Sequence, residues 1–480
     1  MTLKVLSAAS EMVPLVKTGG LADVVGALPR PLAAQGVEMR VFLPGYPAVK
    51  AAVKRGKRLH RYEDLFGGRA EILGAEVGET KLFCLDAPHL FDRPGSAYAQ
   101  PGGADWADNW RRFAAFGRAA ADIAGGALAS WKPDILHAHD WQAAMAPAYL
   151  RYDGSAVPSV LTVHNLAFQG RFDAAIFGEL GLPPSAMALD GVEYYGGVGF
   201  LKAGLQTASA ITTVSPTYAQ EIRAGAFGMG LDGLVNQRLD VLHGILNGVD
   251  TAEWDPAADP ALASRYSARA LRSREANRRA VESRFGLERD DGPLACVISR
   301  LTWQKGMDLL VARIDEIAAA GVQLAVLGSG DHALEGALLA ASARHRGRVG
   351  VVVGYDEQLS HLMQGGCDAI LIPSRFEPCG LTQLYGLRYG CVPLVARTGG
   401  LADTVIDANE AAIAAGAATG IVFQPDHADA LAEAVRRMAR LHADRTVWAG
   451  LQKAGMRTDV SWDRSAARYA ALYRSLLSKG

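Results

Sequence analysis

Short runs rich in Val, Ile and Leu alternate with helix-length amphipathic stretches from one end of the chain to the other. A strand buried on both faces reads as a continuous apolar run, and consecutive parallel strands need a helix-length crossover between them. The rhythm therefore predicts an α/β chain of parallel sheets with helices on both faces. In the first half LKVLSAAS (3–10), EMRVFLPG (38–45), PDILHAHD (133–140), SVLTVHN (159–165) and AITTVSP (210–216) read as buried strands. Their unusual polar residues fall at the carboxyl ends. The second half repeats the pattern with LACVISR (294–300), VQLAVLGSG (322–330), VGVVVGYD (349–356), CDAILIPS (367–374), CVPLVAR (391–397) and GIVFQP (420–425). Between 60 and 110 the pattern loosens into alternating strand-like pieces and a loop holding DRPGS (92–96), which reads as an insertion or a mobile flap. The Arg-rich segment from 264 to 290 reads as an exposed helix with a solvated face.

An internal echo says more than any single segment: KTGGLADV at 17–24 returns as RTGGLADT at 397–404, each after a predicted strand and before a predicted helix. Two halves on one plan are expected, and 480 residues suffice for them at roughly 100 to 200 per domain. A glycine pair there predicts a tight turn with positive φ that points N–H groups at an anion bound to the helix N-terminus. An ordinary strand-to-helix turn is the alternative. Stacked Rossmann-like halves would take a ligand where the carboxyl ends of their sheets face each other, across a deep interdomain cleft. The boundary is expected near HGILNGVD (243–250), giving an N-terminal domain over 1–245, a C-terminal domain over 246–456, and a last helix over 457–480.

Composition narrows the function. Lys and Arg number 49 against 50 Asp and Glu, a net charge of −1, so no whole-chain field draws nucleic acid or an anionic membrane. Any anion site must be local. Five cysteines (Cys84, Cys296, Cys367, Cys379, Cys391) without CxxC spacing argue against a disulfide framework or a structural zinc site and for a reducing compartment, the cytoplasm. No run reaches the roughly 18 to 20 apolar residues a membrane span needs. The chain is expected to be soluble and unexported.

Three polar clusters lie at strand ends of the first half: Glu11 with Lys17, His137 to Asp140, and His164 with Asn165. One alone reads as structural; three on one sheet edge read as a ligand site. In the second half Arg300 ends a strand and Lys305 follows in the loop before a helix, a pair able to clamp a diphosphate, unless it is a surface pair with carboxylate partners. In SRFEPCGLTQ (374–383) a helix is expected to start near Gly380. Glu377 would hydrogen-bond sugar hydroxyls or balance cationic charge, and the N–H groups around Cys379, Gly380, Leu381 and Thr382 would hold phosphate or sugar oxygens. Cys379 reads as a snug small residue. Tyr355 ends a strand and either stacks on a nucleobase or sits in the core. GSGD (328–331) lacks the third glycine of a dinucleotide fingerprint, GxxxxGK[ST] is absent, and no Asp-x-Asp or HExxH metal motif occurs. Phosphate charge must then be met by Arg, Lys and helix ends.

SEMVPLVKTGGLADVVGALP, HAHDWQAA, LTVHN, HGILNGVD, ISRLTWQKGMDLL and PSRFEPCGLTQLYGLRYG, in this order and spread over about residues 3 to 425, resemble the bacterial glycogen synthases and plant starch synthases. The resemblance implies a two-domain retaining glycosyltransferase of the GT-B type, with the donor nucleotide on the second domain and the glucan acceptor on the first. It also implies domain closure about a linker near 250 and a C-terminal helix crossing back to the first domain. It assigns Lys17, with the Gly19 and Gly20 backbone, to the donor diphosphate, and Asp140 and His164 to the transferred glucose. Arg300 and Lys305 become the phosphate-binding pair, Glu377 the acidic residue beside the glucose, and Tyr355 the adenine-stacking position. Asn247 in HGILNGVD is placed on the donor side, and Glu11 and Tyr98 on the acceptor side. Where many GT-B enzymes carry a second glutamate this chain has Tyr385.

The reaction implied is transfer of glucose from ADP-glucose to the non-reducing 4-hydroxyl of an α-1,4-glucan with retention. No metal and no cofactor is expected; the partners are ADP-glucose and glycogen, with no nucleic acid and no membrane. UDP-glucose as donor is the narrower alternative, since Tyr355 would stack on either base. A glucan phosphorylase, which needs a pyridoxal phosphate lysine, and a non-catalytic sugar-binding module are the others.

Overall fold

In the computed structural model, which describes residues 2–478, the polypeptide divides into two units. One runs up to Asn247 and resumes at Trp462; the other is Gly248–Ser461. In the first unit the strands are Leu3–Ala8 (β1), Val37–Pro44 (β2), Lys57–Tyr62 (β3), Ala70–Val77 (β4), Thr80–Asp86 (β5), Ile135–His139 (β6), Ser159–Val163 (β7), Arg171–Phe172 (β8), Glu193–Tyr194 (β9), Gly197–Gly199 (β10), Ala210–Thr213 (β11) and Leu242–Gly244 (β12). Nine make one sheet in the order β12-β11-β7-β6-β1-β2-β5-β4-β3, and β8, β10 and β9 make a small antiparallel one. The chain winds one way from β1 through β2 and the other way through β6, so the switch of direction lies between β1 and β6, where doubly wound sheets bind ligands.

Residues 60 to 110 correct two expectations. The sheet is not wholly parallel, because β4 pairs antiparallel with both β3 and β5. The loop after them is not a free flap. Arg93 is paired with Asp108, Asn109 donates to the Tyr98 carbonyl, and buried Arg112 donates to the carbonyls of Leu90 and Ala97. A spacing that reads as loose is pinned by side-chain-to-backbone bonds that periodicity cannot reveal.

The last helix, Asp463–Leu477, belongs to the first unit. A helix of its own, Arg445–Arg457, precedes it, so the final helix starts at Asp463 rather than 457. Trp462, Ala466, Tyr469, Ala470, Leu472 and Tyr473 pack against Val5, Leu28, Leu32, Met39 and Ile135. Each large apolar side chain so buried contributes roughly 1.5 to 3 kcal/mol. Arg468 also donates to the Gly244 carbonyl at 2.8 Å.

The second unit has Leu294–Ile298 (β13), Gln323–Gly328 (β14), Val349–Val353 (β15), Ala369–Ile372 (β16), Val392–Ala396 (β17) and Ile421–Phe423 (β18). They form a parallel sheet in the order β15-β14-β13-β16-β17-β18, the dinucleotide-domain order with its switch between β13 and β16. Helix Arg274–Phe285 corrects the reading of an exposed Arg-rich segment. Arg274 and Arg278 are buried, the first donating to the carbonyls of Gln364 and Cys367, the second bridging Glu282 and Asp368. Burial alone would raise the Asp368 carboxyl, but hydrogen bonding and charge from His442, with Arg278 beside it, hold it well below the usual range.

Candidate active site

Glu11 and Asp140 follow the strands that flank the first switch point, β1 and β6, and Arg300, Lys305 and Glu377 those that flank the second, β13 and β16; His164 follows β7 and Tyr355 the edge strand β15. In the first unit Glu11 lies after β1 and is 3% exposed. Its carboxylate accepts hydrogen bonds from the Thr18 amide and hydroxyl, the Gly19 amide and the Tyr98 hydroxyl. Glu11 and Tyr98, both expected on the acceptor side, thus meet each other and support the KTGG loop. Lys17 pairs with Asp23 at 2.8 Å. Gly19 has φ −160°, extended backbone rather than the expected positive φ, and a Cβ there would meet nothing within 4 Å. Gly20 opens the helix Gly20–Ala27. The echo differs. Gly399 has φ +43°, and a Cβ on it would lie 1.9 Å from the Glu377 carbonyl oxygen, while one on Gly400 would lie 2.2 Å from that of Cys379. The second glycine pair is required by packing under the 377–379 loop; Gly19 is required by nothing in the fold around it.

Asp140, directly after β6, adopts φ +55°, a left-handed conformation that favours Gly, Asn or Asp. Its Oδ1 accepts from the His164 amide at 2.7 Å. Burial pushes the Asp140 carboxyl up to about 7, hydrogen bonds from the His164 and Asn165 amides oppose this, and the Glu11 charge adds to it. Burial likewise lowers the His164 imidazole to about 3, so it is neutral near pH 7. Asn247 is 9% exposed, and its side-chain oxygen is buried without a hydrogen-bond partner among the described residues.

In the second unit two loops close on each other. The Arg375 amide donates to the Gln304 carbonyl and the Gln304 side chain to the Phe376 carbonyl. The Arg375 guanidinium pairs with Asp308 and Asp426 and lies 4.4 Å over the Trp303 ring. Gly306, at φ +68°, allows the approach, since a Cβ would fall 1.9 Å from the Pro373 carbonyl. The closure brings the Lys305 ammonium onto the Glu377 carboxylate, to which the Ser374 hydroxyl also donates at 3.1 Å. Arg300 and Lys305 do not pair as equals: Lys305 is charge-balanced by Glu377, and Arg300 forms no ion pair among the described residues. Tyr355 is 71% exposed, which excludes the core alternative. Cys379 is buried at 4%. Gly380 has φ +73°, Leu381 precedes the helix, and the helix starts at Thr382, two residues beyond the expected place. Tyr385, in place of a second glutamate, stacks on Trp254 with ring centroids 3.5 Å apart.

Glu253, Glu357 and His361 lie outside the sequence motifs, and His139, inside the His137 to Asp140 cluster, is given no role of its own by the sequence. His139 lies beneath His164, its Nδ1 3.0 Å from the His164 Nε2. Two histidines at alternate positions of β6 share one face, and that spacing was the available signal. Glu253, Glu357 and His361 place ligand-type atoms within 4.8 Å of one another, and Glu357 and His361 are one helical turn apart; the His361 Nδ1 is engaged by Asp259 at 2.7 Å.

The comparisons bear on this geometry. Residues 4–237 match the starch synthase catalytic domain and residues 279–449 the glycosyl transferases group 1 domain. A glycogen synthase of Mesorhizobium japonicum is 66% identical over 99% of both chains. The catalytic domain of starch synthase IV from Arabidopsis thaliana, solved with ADP and acarbose, superposes over 100% of both chains with a TM-score of 0.88 at 32% identity. Sucrose-phosphate synthase from Thermosynechococcus elongatus, at 18% identity and a TM-score of 0.61 over 100% of both chains, shares the fold alone. Two doubly wound units with these matches make the architecture GT-B. With two thirds of its residues identical to a glycogen synthase from end to end, the chain belongs to the glycogen synthase family.

Proposed function

We propose that this chain is a retaining glucosyltransferase that moves glucose from ADP-glucose to the non-reducing 4-hydroxyl of an α-1,4-glucan, elongating glycogen. The observation that carries the reading lies in the second unit. A lysine balanced by Glu377 and an arginine without an ionic partner among the described residues follow β13 at the switch point, and an exposed Tyr355 follows β15 in the same sheet. A diphosphate gives Arg300 the anion it lacks and gives Lys305 a second one. The N–H groups of the first turn from Thr382 have no partners within the helix and favour negative charge. Tyr355 offers its ring to the base, and Asn247 serves the donor. Gly19, uncrowded and extended, is free for close approach of a ligand to its backbone, and Lys17 exchanges Asp23 for phosphate.

The chemistry follows from charge. As the bond to phosphate breaks, negative charge grows on the departing ADP, where Arg300 and Lys305 meet it. Positive charge grows on the sugar, where Glu377 balances it. His164 and Asp140 hydrogen-bond the glucose. Tyr385 stacks on Trp254, so no carboxylate stands at that position as a nucleophile, and the departing phosphate takes the acceptor proton on the retained face. The enzyme works without metal or cofactor. A cytoplasmic location is supported by five buried cysteines, none of them in a disulfide. Among the described residues no helix is long and apolar enough to cross a membrane.

The test is nucleoside diphosphate release from ADP-glucose and UDP-glucose, each with and without glycogen. Acceptor-dependent ADP release supports the proposal. Preference for UDP-glucose overturns the donor, and no release from either overturns the reaction.

A further inference from the structure

We propose that Ser7 and His139 are positioning residues that hold His164 in one neutral tautomer, its hydrogen on Nδ1, so that it presents a hydrogen-bond donor to the bound sugar. The inference rests on the reading that His164 meets the glucose. Ser7 belongs to β1, His139 ends β6, and His164 follows β7, three adjacent strands. The His139 Nε2 lies 3.1 Å from the Ser7 hydroxyl, and its Nδ1 lies 3.0 Å from the His164 Nε2. Ser7 is 1% exposed and His139 0%.

The direction of each bond can be worked out. His137, its ring centroid 4.2 Å from that of His139 and tilted by 30°, has both nitrogens engaged, by the Tyr473 hydroxyl and Thr162, and offers His139 no proton. Burial lowers His137 and His164 to about 3, and burial and the neighbouring imidazoles lower His139 well below the usual range, so all three are neutral. Each ring then has one N–H and one lone pair. Asp140 accepts from the His164 amide, not from its ring, and Glu11 accepts from Thr18, Gly19 and Tyr98.

The Ser7 hydroxyl settles the choice. His139 Nε2 is its only hydrogen-bond partner among the described residues, and a buried donor left unspent costs more than an unused lone pair. Ser7 therefore donates to Nε2, His139 carries its hydrogen on Nδ1 and donates to the His164 Nε2, and His164 keeps its hydrogen on Nδ1. The His164 Nδ1 has no partner among the described residues, so that donor is available to a sugar oxygen. A donor fixed in this way needs no protonation and does not titrate near neutral pH.

The test reads the tautomer directly, by nitrogen NMR of the full chain carrying ring-labelled histidine, with the His164 signals identified by their loss in His164→Asn. The expected result is a protonated Nδ1 and a bare Nε2 on His164 in the wild type, and a mixture in Ser7→Ala. A protonated Nε2 on His164 overturns the proposal. In kinetics His139→Leu lowers kcat about 10- to 100-fold with little change in donor KM, and His139→Asn, whose amide N–H replaces the Nδ1 donor, recovers most of it. A fully active His139→Leu also overturns it. Should the wild type release no nucleoside diphosphate, the glucosyltransferase reading fails, while the NMR result still decides the tautomer.

Discussion

Asp140→Asn should make the first unit more resistant to unfolding above neutrality and change little in acid. The Asp140 carboxyl ordinarily titrates near 3.8 and is pushed up to about 7 in the fold. Between those values the folded chain holds a proton that the unfolded chain has released, so stability falls as pH rises through the window. Above it the ionised carboxylate costs its full amount. Three pH units correspond to about 4 kcal/mol, and partial solvent access of Asp140 reduces this to about 2 kcal/mol. Asn is isosteric, tolerates φ +55° and keeps an oxygen for the His164 amide, so it removes the charge with little else. Calorimetry of both proteins from about pH 4 to about pH 8 should show the mutant midpoint rising relative to wild type by roughly 4 to 8 °C across the window. A constant difference between mutant and wild type, or one that falls with pH, would refute the reasoning.

Other expectations separate packing from ligand contact. Gly399→Ala places a methyl 1.9 Å from the Glu377 carbonyl at φ +43° and should cost more than about 2 kcal/mol in thermal unfolding, with activity falling as Glu377 shifts. Gly19→Ala meets nothing and should leave the melting midpoint in place while raising donor KM about tenfold, read from initial rates. Tyr355→Ala, at a residue 71% exposed, should likewise raise donor KM by about 1 to 3 kcal/mol of lost stacking without a change in midpoint. Tyr473→Phe strips His137 Nδ1 of its 2.7 Å partner and should destabilise the first unit by about 1 to 3 kcal/mol in urea titration.

Five strands of the first unit (β1, β2, β6, β7 and β11) and all six of the second were legible because each is an apolar run ending in a turn, and the two carboxyl edges were legible because polar residues interrupt such runs there. Pairing direction was not. β3, β4 and β5 show as loosened strand-like pieces whose antiparallel order their alternation does not reveal. The Arg-rich helix misled because composition cannot tell a guanidinium in water from one spending its donors on buried carbonyls, as Arg274 does. Within the candidate site, Lys305 and Glu377 were each visible, but their ion pair depends on Arg375 and Gly306 closing two loops whose residues lie about 70 positions apart. The matching glycine pairs looked like one device repeated; Gly399 answers to packing, and Gly19 does not.

If Arg300 and Lys305 meet the charge of a departing ADP, removing Lys305 must slow the chemical step. Acceptor-dependent ADP release from ADP-glucose in Lys305→Ala, compared with wild type at saturating donor, tests it most directly. The expected result is a fall in kcat of about 100- to 1000-fold with the fold intact by circular dichroism, because the interaction strengthens as charge develops. An unchanged kcat with only a raised donor KM would contradict it.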